Sequence, residues 1–149
     1  MQNIDLSALN TKKQFTINGD ENRILELDVT DLNVIQRYNE AMPKLKALEE
    51  KLRKLPLVND DDEVDEMALK VNTFAEVDKG MREFIDFIFD SNVCEVCAPH
   101  GSMYDPIKGR MRYEILLDII IGLYEDSLQK ELQKLEKNVS KHSSKYTKK

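Results

Sequence analysis

The chain has 149 residues, with 22 basic and 28 acidic side chains and a formal net charge of −6. That length suffices for one domain with a core of its own, and 41% apolar against 34% charged residues excludes a chain too polar to fold. No run approaches the roughly 18 apolar residues of a bilayer-crossing helix, and the lack of tryptophan, with five glycines and four prolines, favours helix over sheet.

Charge is unevenly placed. Asp60, Asp61, Asp62, Glu63, Asp65 and Glu66 share one segment, while Lys137, Lys141, Lys145, Lys148 and Lys149 fall in the last thirteen residues with no acid among them. The basic end lacks arginine and offers one aromatic, Tyr146, and the acidic body repels phosphate, so no specific nucleic-acid binding is expected. No basic-then-apolar leader opens the chain, which reads as cytosolic with both cysteines reduced, so the sequon Asn138-Val139-Ser140 is without consequence.

Residues 1–13 are polar, with Ile4, Leu6 and Leu9 scattered, and are expected to be a flexible N-terminal segment. Gln14 to Asn18 alternates apolar and polar, Asn18-Gly19-Asp20-Glu21-Asn22 is turn chemistry, and Arg23 to Val29 alternates again, which predicts a β-hairpin. Pairing Phe15 with Leu27 and Ile17 with Leu25 puts all four on one face, and that face must cover a helix.

Asp28 or Thr30 can cap the next helix, whose apolar positions Leu32, Ile35, Tyr38, Met42, Leu45, Leu48, Leu52 and Leu55 step by three or four. Pro43 either kinks it or sits in the first turn of a second, abutting helix, and Pro56 closes it. Asn59 to Glu66 reads as an acidic linker whose Asp60 and Glu63 suit the start of the following helix. It fails as a calcium loop, because Val64 stands where a third oxygen ligand belongs and no glycine follows. That helix carries Val64, Met67, Val71, Phe74, Met81, Phe84, Ile85, Ile88 and Phe89, with Gly80 weakening its middle.

Asn92, with Glu95 three residues on, predicts a capped short helix that Pro99-His100-Gly101 ends. A loop over Asp105 to Gly109 leads into the most apolar stretch, Met111 to Tyr124. There Ile115, Leu116, Ile119, Ile120, Leu123 and Tyr124 fall at helical spacing, and Leu117 and Ile121 widen the arc, so this is expected to be the central, mostly buried helix. Beyond Tyr124 the arc narrows to Leu128, Leu132, Leu135 and Val139, and the helix should leave the core for the surface or a partner. Residues 140–149 hold too little apolar surface to fold and are expected to be a basic, disordered tail. The expected fold is therefore mostly α: one helical domain of three to five helices, with its N-terminal β-hairpin, over residues 14–139.

Cys94-x-x-Cys97-x-x-His100 brings three zinc-type ligands within seven residues. A fourth is missing nearby, with only His142 left, so two small buried apolar residues on a short helix is the plainer reading and neither metal nor cofactor is expected. A small adaptor or structural protein with a Cys94, Cys97, His100 zinc site is the alternative. No Ser/His/Asp set, paired carboxylates in an apolar setting or glycine-rich phosphate loop is present, so no enzyme is expected.

Three stretches carry a resemblance to a known family. They are Phe15-Thr16-Ile17-Asn18-Gly19-Asp20-Glu21-Asn22-Arg23-Ile24-Leu25-Glu26-Leu27-Asp28 before a long helix, Met81-Arg82-Glu83-Phe84-Ile85-Asp86-Phe87-Ile88-Phe89-Asp90, and Gly109-Arg110-Met111-Arg112-Tyr113-Glu114 before the last helix, with Lys145-Tyr146-Thr147-Lys148-Lys149 at the end. Over nearly its full length the chain resembles the tail assembly chaperones of long-tailed, siphovirus-type phages and prophages of Gram-positive bacteria. The resemblance implies a small, acidic, helical, non-enzymatic protein of the host cytoplasm, absent from the mature virion. It implies binding to the tape-measure protein, which is kept soluble, recruitment of the tail-tube protein, and often a frameshifted longer form. Holding a long helix-rich chain soluble needs an apolar groove on a well-solvated body. The surfaces expected to meet the tape measure, or to make a homo-oligomer, are Leu45, Leu48, Leu52 and Leu55 and the stripe Leu128, Leu132 and Leu135. Packing of those two stripes within one chain is an equal alternative.

Overall fold

The computed structural model describes residues 1–54 and 63–147, with side chains of the last helix as far as Val139. Leu55, Pro56 and the acidic run Asp60 to Asp62 lie outside the described residues, as do Lys148 and Lys149. The described chain is mostly helical with an N-terminal antiparallel hairpin, as expected.

Ser7–Leu9 forms a 3-10 turn within the expected flexible segment, and β1 (Lys12–Ile17) then pairs with β2 (Asp20–Asp28). Asn18 and Gly19 both hold positive φ, 53° and 75°, the mirror-image turn that matches strand twist and that Asn-Gly favours. The register differs from the expected one by two residues: Phe15 faces Leu25 and Lys13 faces Leu27, while Ile17 faces Asp20. The tight turn alone would align Phe15 with Asn22. An irregularity between Thr16 and Ile17 resets the ladder, so that Leu25 and Leu27 share a face with Phe15 and Ile17.

Helix α1 (Asn33–Arg53) is one helix with Pro43 inside it, not two abutting helices. Neither Asp28 nor Thr30 caps it: Asp31 Oδ1 accepts the Asn33 amide at 2.9 Å. Helix α2 (Val64–Phe89) runs antiparallel to α1, with Leu48 against Gly80, Lys44 paired to Glu83 at 2.9 Å and Tyr38 edge-on to Phe84 at 6.4 Å. Gly80 is the close-approach point between the two helices rather than a weak spot, because a Cβ there would lie 2.6 Å from a Leu48 methyl. Asp90, at φ 48°, ends α2, and Ser91 donates its amide to the Asp86 carbonyl. In α3 (Val93–Cys97) the expected Asn92 cap is absent, and the Cys94 amide goes instead to Asp86 Oδ1 at 3.0 Å.

A small hairpin, β3 (Pro106–Ile107) with β4 (Arg110–Met111), turns through Lys108 and Gly109 at positive φ where a plain loop was expected. Helix α4 (Arg112–Thr147) follows directly and continues into the stretch expected as a disordered tail.

The core corrects the expectation that Met111 to Tyr124 is the central buried helix. Val77, Met81, Phe84, Ile85, Ile88 and Phe89 of α2 are buried, at the spacing of one helical face. Leu25, Leu27 and Val29 of β2 and just beyond, Ala41 of α1, Val93, Cys94 and Met103 surround them. Among the described side chains of α4 only Ile120 and Tyr124 are buried, while Ile119 is 60% and Ile121 38% exposed. Apolar side chains distributed around a helix are buried only where there is a neighbour, and α4 meets α2 through Tyr124 on Phe89.

Candidate docking groove

Three arginines fix the frame around the groove by donating to orphan carbonyls at helix ends. Arg37 on α1 donates through Nε to the Ile88 carbonyl at 2.7 Å and through Nη2 to Asp31 Oδ2 at 3.0 Å. Arg23 on β2 donates to the Val96 carbonyl at 2.7 Å, tying the hairpin to the end of α3. Arg82 on α2 donates to the carbonyls of Ala98 and Gly101, each at 2.8 Å, and pairs with Asp78, whose other oxygen accepts the Met103 amide at 2.7 Å. Arg37 thereby joins α1 to the end of α2, which is the base of the groove.

α1 and α4 both lean on that base at Ile88 and Phe89 and leave a trough of about 310 Å³ between them. Val34, Ile35 and Tyr38 of α1 form one wall, and Leu117, Ile121, Tyr124 and Leu128 of α4 form the other, with Glu125 the one charged residue in the lining. The Tyr124 ring rests on Phe89 at 5.4 Å between centroids. Burial pushes its phenol up to about 12, and its hydroxyl has no hydrogen-bond partner among the described residues. Such a group costs about 1–3 kcal/mol in a finished interior. Ile35 is 59% exposed at the rim, and Leu32 beside it is exposed as well. On the opposite flank of α4, Ile115, Leu116 and Ile119 face a second, shallower depression bounded by Arg23, Pro99, His100, Ile107 and Arg112.

After Leu128 the helix leaves the body, and every residue from Gln129 to Val139 is exposed. Leu132, Leu135 and Val139 carry the groove's apolar wall outward as a stripe, each more than half exposed.

The two expected partner-binding stripes thus end differently. Leu45 packs on the core, Leu48 is buried against Gly80 of α2 rather than against the α4 stripe, and Leu52 is half-buried, with Leu55 outside the described residues. Leu128 lines the groove, and Leu132 and Leu135 stand free of the body. Val34, Leu117 and Ile121 were not singled out as contact residues. The signal lay in the spacing Leu117, Ile121, Tyr124, Leu128, which runs straight into Leu132 and marks a second face on α4.

Cys94, Cys97 and His100 stand in different surroundings. Cys94 is buried with Sγ 3.8 Å from the Arg82 carbonyl, Cys97 is half-buried and His100 exposed. Among the described residues no group of three or more His, Cys, Asp and Glu is placed to hold a metal ion. Burial pushes the Cys94 thiol up to about 12 and raises that of Cys97.

Among the described residues no helix is long and apolar enough to cross a membrane. Searches of family models, curated proteins and solved structures find no match to the chain.

Proposed function

We propose that the chain is a phage tail assembly chaperone that holds an amphipathic helix of the tape-measure protein in the groove between α1 and α4. The observation that carries this reading is the groove itself: an open trough with apolar walls, one acid at its edge, and Ile88 and Phe89 at its base. A surface of that kind suits a helix laid in lengthwise, with anchors at three- and four-residue spacing. The sequence resemblance supplies the identity of the client. The acidic, well-charged exterior keeps a complex with a greasy client in solution. On this reading the protein works by binding rather than turnover, acts in the host cytoplasm, recruits tail-tube protein, self-associates and does not remain in the virion.

Co-expression with the product of the very long reading frame expected downstream tests it, using the chain intact and with Ile35→Glu plus Ile121→Glu. Both side chains are exposed, so the double variant should fold as before and lose the client to the insoluble fraction. Unchanged client solubility with and without the intact chain, and no co-purification, would end the assignment.

A further inference from the structure

The outer half of α4 presents a physical problem that the described residues of the chain do not solve. Residues 129–147 extend roughly 28 Å at 1.5 Å per residue, and an isolated helix of that length is marginal in water. Its apolar stripe, Leu132, Leu135 and Val139, has no neighbour among the described residues. Ile121, Tyr124, Leu128, Leu132, Leu135 and Val139 step by three, four, four, three and four residues, close to the natural helical repeat, so the seam stays straight along the helix.

Charge along α4 is polar in the same sense. Over residues 112–126, Arg112 against Glu114, Asp118, Glu125 and Asp126 leaves three negative charges. Over residues 127–141, Lys130, Lys134, Lys137 and Lys141 against Glu131 and Glu136 leaves two positive charges. A helix of this kind repels a parallel copy and attracts an antiparallel one. If two copies cross antiparallel at Leu128, then Leu132 of each lies opposite Tyr124 of the other, Leu135 opposite Ile121 and Val139 opposite Leu117. The stripe of each copy then falls on the residues that wall the other's groove.

We propose that two copies of the chain pair antiparallel through α4 about a two-fold axis at Leu128, each laying Leu132, Leu135 and Val139 into the other's groove. The contact is isologous and closes on itself, giving a dimer rather than a filament. It deepens the self-association named above and rests on no property of the client, except that a client helix in the groove displaces the partner's stripe.

Sedimentation velocity on the full chain at tens of micromolar should show a dimer. Leu132→Lys with Leu135→Lys, at positions exposed in the single chain, should weaken pairing by roughly a hundredfold or more while the circular dichroism and melting of the body stay unchanged. Under a copper–phenanthroline oxidant, Leu128→Cys should form a covalent dimer and Leu135→Cys should not, because only the residue on the axis meets itself. The unsubstituted chain, with Cys94 and Cys97, sets the background. A monomeric wild-type chain, an assembly larger than a dimer, or self-cross-linking at Leu135→Cys equal to that at Leu128→Cys would each overturn the pairing. Client solubility is read in the separate co-expression arm, so a failed client and a failed dimer are distinguishable.

Discussion

Gly80→Ala separates two roles for Leu48, packing within the chain and contact with a partner. An alanine in mid-helix gains about 1 kcal/mol of helix propensity over glycine. At Gly80 the added Cβ would sit 2.6 Å from Leu48 Cδ2 and 3.2 Å from Cδ1. Leu48 is 7% exposed, so its methyl groups have little room to swing aside. Forcing one methyl into such a contact costs about 2 kcal/mol. The net expectation is a loss of about 1 kcal/mol, or a fall of roughly 2–4 °C in Tm for a chain of this size. Leu48→Ala alone should cost about 3 kcal/mol. In that background the obstruction is gone, and Gly80→Ala should stabilise by about 1 kcal/mol, a coupling of about 2 kcal/mol between the sites. Urea titrations followed by circular dichroism at constant m measure all four corners of the cycle. Additivity within about 0.5 kcal/mol, or a Gly80→Ala chain more stable than wild type, would refute the close packing of α1 on α2.

Two further predictions concern ionisation. Partial burial is the largest single influence on Asp31 and opposes its charge, but the Asn33 amide and the Arg37 guanidinium together hold its carboxyl below the ordinary 3.8. A carboxyl held low in the folded chain stabilises above its unfolded value and loses that contribution as pH falls through the folded one. Asp31→Asn should therefore cost roughly 1 kcal/mol at pH 7, with the difference from wild type closing in acid below the ordinary value; a pH-independent difference in urea midpoints would count against the Asp31–Arg37 pair. Burial of Cys94 raises its thiol from 9.0 to about 12, which implies roughly a thousandfold less thiolate at pH 8. Iodoacetamide should modify Cys94 far more slowly in the native chain than in urea, by peptide mass spectrometry, and equal rates would contradict its burial.

The hairpin and the long helices were legible because alternation and three-to-four spacing report local geometry directly. Register was not, since Phe15 and Leu25 meet only through an irregularity that depends on the Asn18-Gly19 turn. Placing Phe15 opposite Leu27 kept the correct face, because a slip of two residues preserves the strand's sidedness. The arginine contacts from Arg23, Arg37 and Arg82 to distant carbonyls left no mark in the sequence, as a backbone acceptor carries no residue identity. The larger misreading was of burial on α4. An apolar arc as wide as that of Met111 to Tyr124 states that much of the helix must be covered, but not by what. In this chain α4 meets α2 at its end, through Tyr124 on Phe89, and α1 is already engaged with α2 through Leu48, Gly80, Tyr38 and Phe84. Leu117 and Ile121 consequently face an open groove, and Leu132 and Leu135 face solvent. The same excess of apolar surface that suggested a central helix becomes, once the intramolecular neighbours are assigned, a surface that the described residues leave uncovered.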